Sequence, residues 1–197
     1  MTVRRLHRLI GMTMLLPFVG WAATGFVFFV KPGYGAAYES LPLRMYALDQ
    51  AITIASRPEW REVRLMKTIL GTHLLVRTDA GWSHLDPLTL QPAAAPTDEQ
   101  MRALIGDAVA TRAERYGNVA RVSGNSAFTD TGARITLDWT RMTLQQRGRD
   151  TDRIDALYRV HYLQWTGSPI FDKILGFAGL AALVTLTVVG ATLAFRR

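Results

Sequence analysis

The chain has 197 residues, no cysteine, 23 Lys and Arg against 16 Asp and Glu, and a formal charge of +7. That length suits one domain or two small ones, and a hydrophobic content of 49% excludes a disordered chain. Without cysteine there are no thiolate nucleophiles, disulfides, iron–sulfur clusters or sulfur-ligated zinc, and the redox compartment stays open.

Residues 1–8 carry Arg4, Arg5 and Arg8, and residues 9–30 follow as 22 positions without a charge. A helix of that length reaches about 33 Å, enough for a hydrocarbon core of roughly 30 Å. Residues 35–37, Gly-Ala-Ala, look faintly like a signal-peptidase site. The apolar run is longer than the usual leader core of about 7–15 residues, so the span is expected to be retained.

The middle of the chain, residues 31–173, reads as an α+β domain. Leu48, Ala51, Ile52 and Ala55 fall at helical spacing and predict a helix over residues 45–56, ended by Arg57-Pro58. Strands are expected at 63–69, 72–78 and 82–86, with a turn at Asp79-Ala80-Gly81. The proline-rich piece 91–96 reads as a linker. Thr97 and Gln100 make a capping box, and Met101, Leu104, Ile105 and Ala108 supply an apolar stripe that ends at Gly117. Strands at 119–123 and 134–139 follow, and residues 145–155 read as a mixed-charge loop. The two helix stripes are offset by a constant spacing, so units 40–91 and 97–160 are candidate duplicates of a helix-then-meander pattern.

Residues 174–195 are a second charge-free run, followed by Arg196 and Arg197. Both basic flanks lie at the chain ends, so the positive-inside rule puts residues 1–8 and 196–197 in the cytoplasm and 31–173 outside. Tyr34, Tyr38, Trp165, Phe171 and Phe177 would anchor the outer interface. Eighteen of the basic residues and all 16 acids lie between Lys31 and Lys173, a net of +2, while the other five basic residues are the flanks. The basic excess is therefore a topology signal and not a nucleic-acid footprint. Neither span holds an ionisable side chain, which argues against a pump or channel. Gly20 with Thr24, Ala178 with Ala182, and Gly190 with Ala194 allow close helix approach, either of the two spans on each other or in a homodimer.

Several segments together resemble the PepSY-associated transmembrane family of bacterial membrane proteins. They are Leu6-His7-Arg8-Leu9-Ile10-Gly11, Thr24-Gly25, His161-Tyr162-Leu163-Gln164-Trp165-Thr166-Gly167, Gly176-Phe177-Ala178-Gly179-Leu180 and the closing Phe195-Arg196-Arg197. Residues 51–55 and 82–90 resemble a PepSY helix–strands unit. The chain departs from the family in having two spans where many members have four or more. It also carries Leu163 and Gln164 where larger members often show another histidine, and it lacks a turn glycine in 87–90. The resemblance implies a membrane protein of α+β class, with two spans flanking an extracytoplasmic PepSY-like domain. It also implies either protein or peptide binding outside the cytoplasm, or a haem-bearing part of a ferric or ferric-siderophore reductase in iron uptake.

The four histidines bear on that choice. His7 lies at the cytoplasmic end of the first span and His161 lies before the second, on the opposite side. They are candidate haem ligands through the resemblance, but the bilayer separates them by roughly 30 Å, so a bis-histidine haem would need a second copy or a partner. If Thr78 pairs with Trp82, His84 faces Val76 rather than His73, and those two are expected to be ordinary surface or edge residues. The cluster Asp150, Asp152 and Asp155 lacks the glycine and glutamate of a calcium loop and is read as solvated. No metal site, hydrolase elbow, phosphate loop or dinucleotide fingerprint occurs. The expectation is an inner-membrane accessory protein whose periplasmic domain contacts a partner protein or peptide. A haem subunit of a reductase is the alternative.

Overall fold

The computed structural model describes residues 2–49 and 51–195. Arg196 and Arg197, the basic flank of the second apolar run, lie outside the described residues. In chain order the elements are α1 (Val3–Val30), α2 (Tyr34–Ala37), β1 (Glu62–Thr68), β2 (Gly71–Thr78), β3 (Gly81–Leu85), α3 (Asp98–Val109) and α4 (Ala113–Tyr116), then β4 (Val119–Ser123), β5 (Ser126–Thr129), β6 (Arg134–Asp138), β7 (Thr143–Arg147), α5 (Arg149–His161) and α6 (Pro169–Phe195). They form two compact units, Met1–Tyr34 with Asp150–Arg197, and Gly35–Arg149. The fold is α+β, with two long apolar helices flanking a sheet domain in sequence.

In the first unit, α1 and α6 have 28 and 27 residues, about 42 and 40 Å of helix. Both are long and apolar enough to cross a membrane. α1 begins before the expected span at Leu9, and α6 begins before Ile174. The helices run antiparallel with glycines at the contact: a β-carbon on Gly190 would lie 3.1 Å from His7, one on Gly11 would lie 3.7 Å from Leu186, and one on Gly179 would lie 3.9 Å from Trp21. Of the expected small-residue pairs, Gly190 faces α1, whereas Gly20 faces Val160 of α5, 3.9 Å away.

α5 replaces most of the loop expected over 145–155. Asp150 and Asp152 lie in its first turn, where carboxylates favour the positive end of the helix dipole. Thr151 and Ile154 are buried, Leu157 and Tyr158 are half-buried, and the charges point away, so the segment is an amphipathic helix that its charge density disguised. The helix ends in a six-residue C-terminal loop, in which the Gln164 amide bonds the Arg159 carbonyl at 2.9 Å and Leu163 adopts φ +55°. Glycine is usual there. Leucine is held because its side chain is buried, within 3.0 Å of where a Gly179 β-carbon would be.

In the second unit, a three-stranded antiparallel sheet (β1-β2-β3) and a four-stranded one (β4-β5-β6-β7) enclose α3. The capping box forms as expected: Thr97 Oγ1 accepts from the Gln100 amide at 3.2 Å, and Gln100 Oε1 accepts from the Thr97 amide at 2.9 Å. Met101, Leu104, Ile105, Ala108 and Val109 then point into one core with Ala127, Ile135, Leu137, Leu75, Leu41 and Leu43. Fully burying one such side chain contributes about 1.5–3 kcal/mol. β2 is covered on both faces, because Leu74, Val76 and Leu85 form a second cluster with Ile54, Trp60, Leu65 and Leu90.

The helix expected over 45–56 is absent from the described part of that segment. Tyr46 instead bridges Lys67, its amide bonding the Lys67 carbonyl at 2.9 Å, and Asp49 pairs with the Lys67 ammonium. The open edge of β1 recruits the segment as extended backbone, and Ile54 covers the sheet. This removes the helix from the first of the two candidate repeats and from the PepSY-like segment 51–55. The expected linker 91–96 is likewise held to the edge of β3: Pro92 bridges Leu85, and the Ala93 amide bonds the His84 carbonyl at 2.9 Å.

Candidate functional site

The β2–β3 hairpin closes through a two-residue turn, Asp79-Ala80, with Thr78 opposite Gly81 and Leu75 opposite His84. This is one residue off the expected register. A slip of one residue exchanges the faces of a strand. His84 therefore shares a face with Leu75 and, diagonally, with His73. The two histidines are not surface or edge residues: they are 5% and 7% exposed, and their rings meet at 5.0 Å.

Their hydrogen bonds run in one direction. His84 Nδ1 lies 3.0 Å from the Trp139 carbonyl, which can only accept, so Nδ1 carries the proton. His84 Nε2 is then an acceptor and receives His73 Nδ1–H at 3.1 Å. His73 Nε2 in turn accepts from the Thr68 hydroxyl at 2.8 Å, and Thr68 Oγ1 accepts from the Leu70 amide at 3.2 Å. The tautomers follow from this network. Every polar atom of the pair is satisfied with both rings neutral. Burial pushes the His73 pKa down to about 4, with the neighbouring His84 adding to it. Burial also lowers that of His84, partly offset by the Trp139 carbonyl. The chain ties β1, β2 and β3 to Trp139, which follows β6, and the Trp139 ring lies 4.3 Å from that of His84.

The histidines form one wall of a cleft of about 270 Å³. Thr72, Asp86, Pro87 and the pinned segment 93–96 make the others, with Gln100 and Trp139 closing it. The Asp86 carboxylate is turned to its own loop, where it accepts the Leu88 and Thr89 amides at 2.9 and 2.8 Å, and these bonds hold its pKa below the usual carboxylate range. The cleft thus presents neutral donors, acceptors and apolar surface. That chemistry suits a peptide or an uncharged side chain. Elsewhere in this unit Glu39 accepts the Tyr116 hydroxyl at 2.8 Å and pairs with Arg112 at 3.2 Å, while burial and Glu39 push the Tyr116 pKa up to about 12.

The two candidate haem ligands lie in the first unit. His161 ends α5 against α1: Trp21 Nε1–H donates to its carbonyl at 2.6 Å, and the Phe28 ring is 5.0 Å from its own. Thr24 Oγ1 donates to the Gly20 carbonyl at 2.6 Å, so it accepts from His161 Nδ1–H at 2.8 Å. His161 Nε2 keeps its lone pair, with no hydrogen bond among the described residues. His7 packs against Gly190, and its Nδ1 is buried without a partner among the described residues. His7 is 14 residues before Trp21, about 21 Å along α1, so the two imidazoles do not fit one haem within a chain. Among the described residues no three His, Asp or Glu side chains converge as a metal site, and Asp150, Asp152 and Asp155 belong to the start of α5.

Sequence reasoning recovered the helix stripe and most strands but missed the histidine pair. The signal that could have found it was the two-residue turn, since Asp79-Ala80 followed by glycine admits that register. No family model matches the chain, and neither a curated protein nor a solved structure is significantly similar to it.

Proposed function

We propose that this protein is a membrane-anchored, PepSY-like accessory protein that acts by binding a partner protein or peptide outside the cytoplasm. α1 and α6 cross a bacterial inner membrane with both chain ends in the cytoplasm, and residues 31–173 lie in the periplasm. The observation that carries the reading is a folded sheet domain, with a neutral cleft beside His73, His84 and Trp139, inserted between two antiparallel helices free of charge over 22 residues each. The experiment is a photo-crosslinking residue placed at Thr72 on the cleft wall, with a control at Arg134 on β6, in intact cells. A specific adduct from position 72 and not from 134 supports the reading. Equal adducts, or none, refute it. Cysteines introduced at positions 2 and 125, read with an impermeant thiol reagent, test the topology: labelling is expected at 125 alone.

A second reading is a haem-binding subunit of a ferric-siderophore reductase. One observation favours it: Thr24 holds His161 Nδ1, which leaves Nε2 as the basic nitrogen, the arrangement of a metal-ligating imidazole. The other axial ligand would come from a second copy or a partner. Purified protein with a Soret band that is lost in His161→Ala supports this reading, and purification without a band refutes it.

A further inference from the structure

A cleft of about 550 Å³ lies between the end of α5 and the first turns of α6, within the first unit. It is larger than the cleft beside the histidines and is built along one helical stripe. Lys173, Gly176, Phe177 and Leu180 fall at i, i+3, i+4 and i+7 on α6, and Arg159 and Tyr162 stand opposite them. Polarity changes along that stripe. Its N-terminal end carries Lys173, with Arg159 of α5 opposite, and three residues further on the lining is apolar. Phe177 and Leu180 are 74% and 54% exposed, so no described part of the chain covers the apolar end.

The charges at the polar end are unequally engaged. Asp172 accepts the Thr166 amide at 2.9 Å and the Thr166 hydroxyl at 2.8 Å, which turns its carboxylate to the 166–168 loop. Neither Arg159 nor Lys173 has a side-chain hydrogen bond or ion pair among the described residues. With Trp21 opposite Gly179, the antiparallel register brings Lys173 level with the last turn of α1, at the end of the helix pair opposite Arg4, Arg5 and Arg8. Cations at the helix ends with apolar surface beneath them match the two parts of a phospholipid, an anionic head and an acyl chain.

We propose that this cleft is a binding site for one anionic phospholipid of the outer leaflet. Arg159 and Lys173 hold the phosphate, Tyr162 flanks the glycerol, and an acyl chain lies along Gly176, Phe177 and Leu180. The inference rests on the membrane reading given above. Its use to the protein is to fix the 162–168 turn, and with it the end of α5, at the membrane surface.

The test is native mass spectrometry of the detergent-purified full chain titrated with phosphatidylglycerol or with phosphatidylcholine. Two attractive cations, at about 1 kcal/mol each, predict that the first is retained about 30-fold more tightly. The double variant Arg159→Gln, Lys173→Gln is expected to lose that preference to within twofold, and Lys173→Arg is expected to keep it. Gly176→Leu adds bulk at a position whose β-carbon would have no atom within 4 Å, so it fills the cleft and should abolish retention of either lipid at this site. Far-UV circular dichroism checks that each variant folds. Equal retention of the two lipids by the wild type, or an unchanged preference in the double variant, overturns the proposal. So does displacement of the lipid by inorganic phosphate at equal concentration, which would mark a phosphate site. Alkaline carbonate extraction of cell membranes separates the two levels: a chain that stays in the pellet yet shows no lipid preference refutes the site alone, whereas an extracted chain refutes the membrane reading as well.

Discussion

Acidification is expected to destabilise the sheet domain through His73, and the size of the effect follows from its surroundings. His73 is 5% exposed, and its pKa is pushed from an ordinary value near 6.5 to about 4. An unfolded chain therefore binds a proton at His73 between those values and the folded chain does not. Stability must then fall as pH drops through 6.5 and level off below 4. Between pH 7 and pH 5 the linkage amounts to about 2 kcal/mol, or about 25-fold in the folding equilibrium. A proton on His73 would sit on Nε2, which would then donate to Thr68 Oγ1 instead of accepting from it, while His73 Nδ1–H still donates to His84. Asp86, the one acid lining the cleft, stays ionised in this window and does not produce the slope. The assay is denaturant unfolding of the full chain in detergent, followed by near-ultraviolet circular dichroism from pH 7.5 to 5, for the wild type and His73→Gln. The comparison of slopes is the readout, because the variant loses a hydrogen-bond partner at every pH. Equal slopes in the two proteins would refute the reasoning, as would nuclear magnetic resonance titration placing His73 near 6.5.

Three further perturbations test the packing. Gly117→Ala meets both a φ of +59° and Asp130 Oδ1 only 1.8 Å from the new β-carbon, so a loss of about 3 kcal/mol is expected in the same unfolding assay. Thr97→Ala removes the capping box of α3 and should cost about 1 kcal/mol, with Thr97→Ser near neutral. Leu75→Ala opens a void at a fully buried position between β2 and α3 and is expected to cost about 3 kcal/mol, read as a lower denaturation midpoint at unchanged slope.

Local signals carried far in this chain wherever a segment's own residues decide its structure. α3 was legible in its start and face, because Thr97, Gln100 and a stripe at helical spacing state them, but it ends at Val109 and not at the expected Gly117, which instead closes the separate short α4. α1 and α6 were legible because hydrophobicity alone suffices over 22 positions. The segment over 45–56 has an equally regular stripe and forms no helix among its described residues, since the edge of β1 takes the Tyr46 amide in a backbone hydrogen bond that spacing cannot reveal. α5 was hidden for the converse reason: its charges read as a loop, and only the apolar face it buries accounts for a helix. The resemblance to a membrane family pointed to His7 and His161, while the neutral cleft emerged from residues that no motif had singled out.

Composition and pattern by themselves determined the α+β class, the two apolar helices, the capped α3 and the near balance of charge between them. Tertiary structure decided what the histidines are. One residue of hairpin register turns His84 from the outer face to the inner one, where it meets His73, and a carbonyl 55 residues away then sets both tautomers. Strand pairing has a period of two, so the smallest error in register exchanges surface for core. The cleft between α5 and α6 arises in the same way, because Arg159 and Lys173 converge only once the αL turn at Leu163 has brought the two helices together.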